Sequence, residues 1–245
     1  MGDTYYAGGY WGPREEPPEA CAQRFASFLK GLAVTDSSFT QWYETAKSPK
    51  ASLSRPLRPD LDELTRFVRK NKDPVFDELG FSLGGWNGAP TAQDDGGFLI
   101  RCGSYDSRTI NRCVFSLPER GANADRVLNA SVLSNTLRVT AAAWDPDWGV
   151  AMSHGHRDMV EAQRVPKSPY VGWVTYLALH RGPVPALPAP VRIEPVADKG
   201  TLIILTPERF TVGNPEHVAL AERVRELLGQ AGLLEPLQAQ PQASG

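Results

Sequence analysis

Two hydrophobic periods alternate along this chain, and their order limits it to one class of fold. Ala22, Phe25, Phe28, Leu29 and Leu32 recur at steps of three and four, the spacing that gathers side chains on one helical stripe. Pro17-Pro18-Glu19 stands before them, placing proline and an acid in a first turn whose N–H groups are free. Leu61, Leu64, Phe67 and Val68 form a second stripe, opened by Asp60 as N-cap with Glu63 three residues on. Asn123 predicts a helix from about Ala124 to Leu137 through Val127, Leu128 and Leu133. Asn214-Pro215 caps and opens another, carrying Val218, Ala221, Val224, Leu227 and Leu228.

Between these helices the period falls to two. Thr4–Trp11 reads as a short strand that bends or bulges at Gly8-Gly9. Phe98–Gly103 and Ile110–Leu117 read as strands joined by a polar turn around Asp106-Ser107, and Gly149–Met152 as another. Gly172–Leu179 alternates Trp173, Thr175 and Leu177 against Val174, Tyr176 and Ala178. Val191–Val196 and Thr201–Leu205 flank Ala197-Asp198-Lys199-Gly200, a hairpin with glycine for positive φ, and Pro195 puts its first strand near an edge. Six glycines and Pro90 predict a long loop from 80 to 97, and four prolines predict another over Arg181–Pro190. Antiparallel runs interrupted by helices make the chain α+β, mainly antiparallel sheet with packed helices. The expected organisation is one domain over 1–235, with two subdomains meeting near 120 as the alternative. The Gln/Pro/Ala-rich 236–245 segment is expected to be a disordered tail.

Charge narrows the function. The 26 Lys+Arg and 28 Asp+Glu of the 245 residues nearly cancel, whereas proteins that bind nucleic acid draw their affinity from a basic surplus. Apolar runs such as Leu202–Leu205 are too short to span a bilayer, and Met1–Gly12 lacks the pattern of a secretory signal. Cys21, Cys102 and Cys113 are odd in number and without CxxC pairing, which favours a reducing compartment and core packing. Cytoplasm is the expected location.

The densest polar cluster is Trp144-Asp145-Pro146-Asp147-Trp148, followed by His154-Gly155-His156-Arg157-Asp158. In extended chain an HxH pair points both imidazoles to one face. Asp145, Asp147, His154, His156 and Asp158 are therefore the ligand set of a metal-dependent hydrolase reading. The simpler reading is an exposed polar loop after a turn in which Asp145 bonds backbone N–H groups and the tryptophans anchor to the core. His180 and His217 read as isolated surface or loop histidines. GxSxG and phosphate-loop motifs are absent, and Gly80–Gly88 lacks Rossmann spacing. Neither a cofactor nor a catalytic residue is expected.

The aromatic and glycine motifs carry more information in their order. Tyr10-Trp11-Gly12 with Arg14 is followed by the helix of Cys21, Arg24, Phe25 and Leu29, then Trp42. Leu79-Gly80-Phe81, Trp86-Asn87-Gly88, Cys102-Gly103 and Trp144–Trp148 follow. This series resembles the immunity protein 52 family of bacterial polymorphic-toxin and type VI secretion systems, from about residue 4 to residue 235. The resemblance implies a non-enzymatic antidote, encoded beside a toxin with a restriction-endonuclease-like nuclease domain, that binds and neutralises it. An adaptor that binds an effector without inhibiting it is a further alternative. Under the resemblance Trp11, Trp42, Trp86, Trp144 and Trp148 are structural anchors. Acids on glycine-rich or turn loops, namely Asp94, Asp95, Asp145, Asp147 and Asp106, are the candidate toxin contacts, opposing a basic nuclease groove.

Overall fold

The computed structural model describes residues 3–237. Nine strands form one antiparallel sheet. They are β1 (Tyr5–Trp11), β2 (Tyr43–Glu44), β3 (Phe81–Trp86), β4 (Gly97–Cys102), β5 (Asn111–Ser116), β6 (Trp148–Ser153), β7 (Val174–Ala178), β8 (Arg192–Val196) and β9 (Gly200–Ile204). Their order across the sheet is β2-β3-β4-β5-β1-β6-β7-β9-β8, so the first strand of the chain lies at the centre. Seven α-helices are present among the described residues, and the α+β expectation is met.

One face of the sheet is packed by α1 (Pro18–Ala33), α3 (Leu61–Lys70) and α5 (Ala130–Trp144). The α1 stripe buries Phe25, Phe28, Leu29 and Leu32. In α3 the Asp60 carboxylate accepts from the Glu63 N–H at 2.9 Å, and Leu64, Phe67 and Val68 are buried. Leu61, expected on that buried face, is 51% exposed, because it sits in the first turn beyond the contact with α1. Alternation along β1 sends Trp11 to the helical face, where it stacks on Trp144 with ring centres 5.6 Å apart.

Several expectations change. The pairing of β1 with both neighbours runs in unbroken register, so Gly8-Gly9 forms no bulge. Gly9 instead lets α5 approach: a Cβ there would lie 2.7 Å from Thr140 Cγ2. The expected 80–97 loop contains β3, and only its second part connects strands. The expected 124–137 helix is two helices, α4 (Gly121–Val127) and α5. Asn129, not Asn123, caps the longer one by accepting from the Val132 N–H at 3.0 Å. The hairpin of β8 and β9 forms with β8 at the edge, but Ala197 takes the positive φ of 42°. Gly200 is needed for space, since a Cβ would meet the Leu177 carbonyl oxygen at 2.1 Å. The short α2 (Pro49–Leu53) and β2 had no clear periodic signal. All three cysteines are free and buried, and burial raises the Cys102 and Cys113 thiol pKa values. Among the described residues no helix is long and apolar enough to cross a membrane. Of the expected tail, 238–245 lies outside the described residues.

The second face is covered unevenly. α6 (His154–Glu161) follows β6, and Tyr170, in the chain behind it, packs on Trp148 with ring centres 5.9 Å apart. α7 (Pro215–Gln230), capped by Asn214, faces α6 across a cleft. Beyond β1, toward β3, α6 forms a wall at the margin of an uncovered sheet surface.

Candidate functional site

The five expected carboxylates do not converge. Asp145 ends α5 in the left-handed region with φ 51°, and its side chain pairs with Lys199 at 3.1 Å. Asp147 is the residue that bonds backbone: its Oδ2 accepts from the Gly12 N–H at 3.0 Å, and its Oδ1 lies 2.9 Å from His180 Nε2. These contacts close the turn between α5 and β6, with Trp144 and Trp148 buried on either side. Asp106 accepts from the Thr109 hydroxyl at 2.6 Å within its own turn, which holds its carboxyl below the usual range. Asp94 accepts from the Thr91 hydroxyl at 3.0 Å, and Asp95 accepts from the Trp86 indole N–H.

The hydrolase ligand set is also dispersed. His154 and His156 begin α6 rather than lying in extended chain, because Ser153 caps the helix through the His156 N–H at 3.1 Å. His154 Nδ1 sits 3.0 Å from the Thr4 hydroxyl, whereas Asp147 is held at the Tyr10–Gly12 end of β1. The six residues of β6 between them correspond to about 20 Å of strand. Among the described residues no three His, Cys, Asp or Glu side chains are placed to share a metal. His217, expected in a loop or at the surface, is buried in α7, stacked on Phe210 and accepting from the Thr211 N–H at 3.2 Å.

The uncovered sheet surface is the more distinctive site. The registers place Ser82, Gly84 and Trp86 of β3 beside Arg101, Leu99 and Gly97 of β4. Arg112, Val114 and Ser116 of β5 continue the surface to Tyr10, Gly8 and Tyr6 of β1. This face and the wall of α6 enclose a groove of about 630 Å³. Arg112, His154, Arg157, Arg164 and Lys167 line it, and no Asp or Glu does. Leu99 is 50% exposed on its floor. Tyr10 stacks on Trp148 at 4.1 Å, and the Arg164 guanidinium lies 4.0 Å from the centre of the Tyr170 ring. Burial pushes the Tyr10 phenol up to about 12 and that of Tyr6 higher still, so both remain protonated donors at neutral pH. The Tyr6 hydroxyl is buried without a hydrogen-bond partner among the described residues.

A second concavity of about 720 Å³ lies between α6 and α7. Met159, Val160, Val218 and Ala221 give it apolar walls, and both acids and bases line it, with Glu222 and Arg225 2.5 Å apart. The groove residues carry no local motif, because separate strands supply them. The signal was the outward row of two strands, Leu99 and Arg101 beside Arg112 and Val114.

The model of the family described as Immunity protein 52 matches residues 3–237. The chain belongs to the immunity protein 52 family. Its role is that of an immunity protein, and its fold carries the residues of the resemblance in two ways. Trp11, Trp42, Trp144 and Trp148 are buried, while Trp86 is partly exposed beside the groove. Trp173 is a further buried anchor, its indole N–H donating to the Thr206 carbonyl at 2.9 Å. Among solved structures, the chain is similar to the Pseudomonas aeruginosa T6SS protein PA0821, with a TM-score of 0.52 and 14% identity over 91% of this chain and 76% of that one. That likeness is one of fold. No curated protein matches the chain.

Proposed function

We propose that this immunity protein acts by forming a stoichiometric complex with a cognate secreted toxin, without chemistry of its own, in the cytoplasm of the cell that makes the toxin. The toxin is proposed to be a restriction-endonuclease-like nuclease encoded beside it and delivered by a type VI secretion system. The observation that carries this reading is the match of the immunity family over residues 3–237. The broad sheet face left without helices supports it, because an inhibitor needs a surface of about 800 Å² per partner rather than a catalytic cluster. Asp94 and Asp95, beside Trp86 at the loop margin, remain candidate contacts for basic groups of the toxin. Asp106, Asp145 and Asp147 are candidates of the second order, since each is engaged in its own turn.

Co-expression with the neighbouring toxin tests the proposal. Rescue of growth and co-purification of the pair are expected, and failure of both overturns it. Co-purification without rescue identifies a non-inhibitory adaptor instead. Toxin turnover by catalytic amounts of this chain, lost on chelation, would support the hydrolase.

A further inference from the structure

We infer that the groove between the open sheet face and α6 receives an acidic segment of the toxin that carries an apolar side chain beside its carboxylates. This rests on the immunity reading and gives it a surface and a chemistry. The chain as a whole is nearly neutral, yet this groove is lined by basic side chains and by no carboxylate. Arg112 is exposed and makes no ion pair among the described residues. Arg157 is shared only with Asp158, which is 66% exposed and lies outside the lining. The Tyr6 hydroxyl, on a residue 4% exposed, is a buried donor without an acceptor. Cations and phenol donors on one concave surface call for acceptors from the partner, and carboxylates satisfy both. Leu99 and Val114, paired across β4 and β5 on the floor that also carries Arg112, provide the apolar contact. The cleft between α6 and α7 lacks this bias because Glu222, Glu226 and Glu235 line it beside Arg164 and Arg225. At this groove, complementarity therefore runs opposite to that of Asp94 and Asp95 with basic groups of the toxin.

Calorimetric titration of the full chain with a catalytically inactive form of the neighbouring toxin tests this, comparing the parent with Arg112→Glu, Leu99→Asp and a control, Lys30→Glu, on the exposed side of α1. The two groove variants are expected to weaken binding about 100-fold, with thermal midpoints near the parent's, while the control stays within about twofold. Parent affinity should fall with added salt, and Arg112→Glu should flatten that dependence. Groove variants that bind like the parent overturn the inference while leaving the immunity reading intact. A parent that binds no toxin overturns both, beginning with that reading. Self-association lost in Arg112→Glu, or capture of a single-stranded oligonucleotide by this face with toxin affinity unchanged in the variant, also overturns it.

Discussion

His156 gives the fold an acid limit that can be worked out from its surroundings. It lies in the first turn of α6, 2% exposed, with its ring 4.7 Å from that of Phe210 and its Nδ1 without a partner among the described residues. Burial disfavours the imidazolium and lowers its pKa to about 4, although Asp3 and Glu222 pull the other way. The unfolded chain titrates near the ordinary value of 6.5, so between these two values the unfolded state binds more protons. The stability that depends on neutral His156 is therefore complete above pH 6.5 and is lost as pH falls toward 4. At about 1.36 kcal/mol per unit the full loss is about 3 kcal/mol, of which about 2 is gone by pH 5. That is a large fraction of the 5–15 kcal/mol that holds a typical domain together. Urea unfolding at pH 7, 6 and 5 measures it. His156→Phe keeps the ring stack, introduces no polar group to satisfy, and should remove most of the decline over this range. Carboxylates held low by partners act mainly below it. An unchanged decline in His156→Phe refutes the assignment to this residue.

Gly200→Ala should cost about 2–4 kcal/mol in thermal or urea unfolding, because its Cβ would press on the Leu177 carbonyl oxygen of a paired strand. Parent-like stability would show that β7 and β9 do not approach as described. Burial opposes ionisation of Asp36, but hydrogen bonds from Arg126 and Ser38 outweigh it and hold its pKa at about 2. Arg126→Ala should then cost about 1–2 kcal/mol at pH 7. That difference should fade as pH falls through the native value near 2, and a difference that persists there would point to lost packing instead. Asp94→Lys with Asp95→Lys should weaken toxin binding about tenfold by calorimetry with little change in thermal midpoint. Unaltered affinity excludes that loop from the interface.

Where one residue's local chemistry decided the structure, the sequence could be read. Asp60 and Asn214 cap helices through their own carbonyl or carboxylate oxygens, and the α1 stripe needs only the helical period to find the core. Errors arose where a distant partner decided. Gly80, Gly84, Gly85 and Gly88 look like loop residues in isolation, but in β3 Gly85 makes room for the Phe98 ring, 2.1 Å from where a Cβ would stand. The HxH pair looks extended in sequence because Ser153, its helix cap, is also the last residue of β6. The groove was hidden for a similar reason. Arg112, Leu99 and Tyr6 come from three strands separated in sequence, and only the register of β1, β4 and β5 makes them neighbours.

Hydroxyl-radical footprinting of the complex reads which side chains the toxin shields, and so whether it seats on the open sheet face. Trp86, Tyr10 and Leu99 report on the open sheet face, while Met159, 47% exposed, reports on the cleft between α6 and α7. Oxidation of Trp86, Tyr10 and Leu99 is expected to fall on toxin binding while that of Met159 is unchanged. Protection of Met159 with the sheet face still reactive would contradict it.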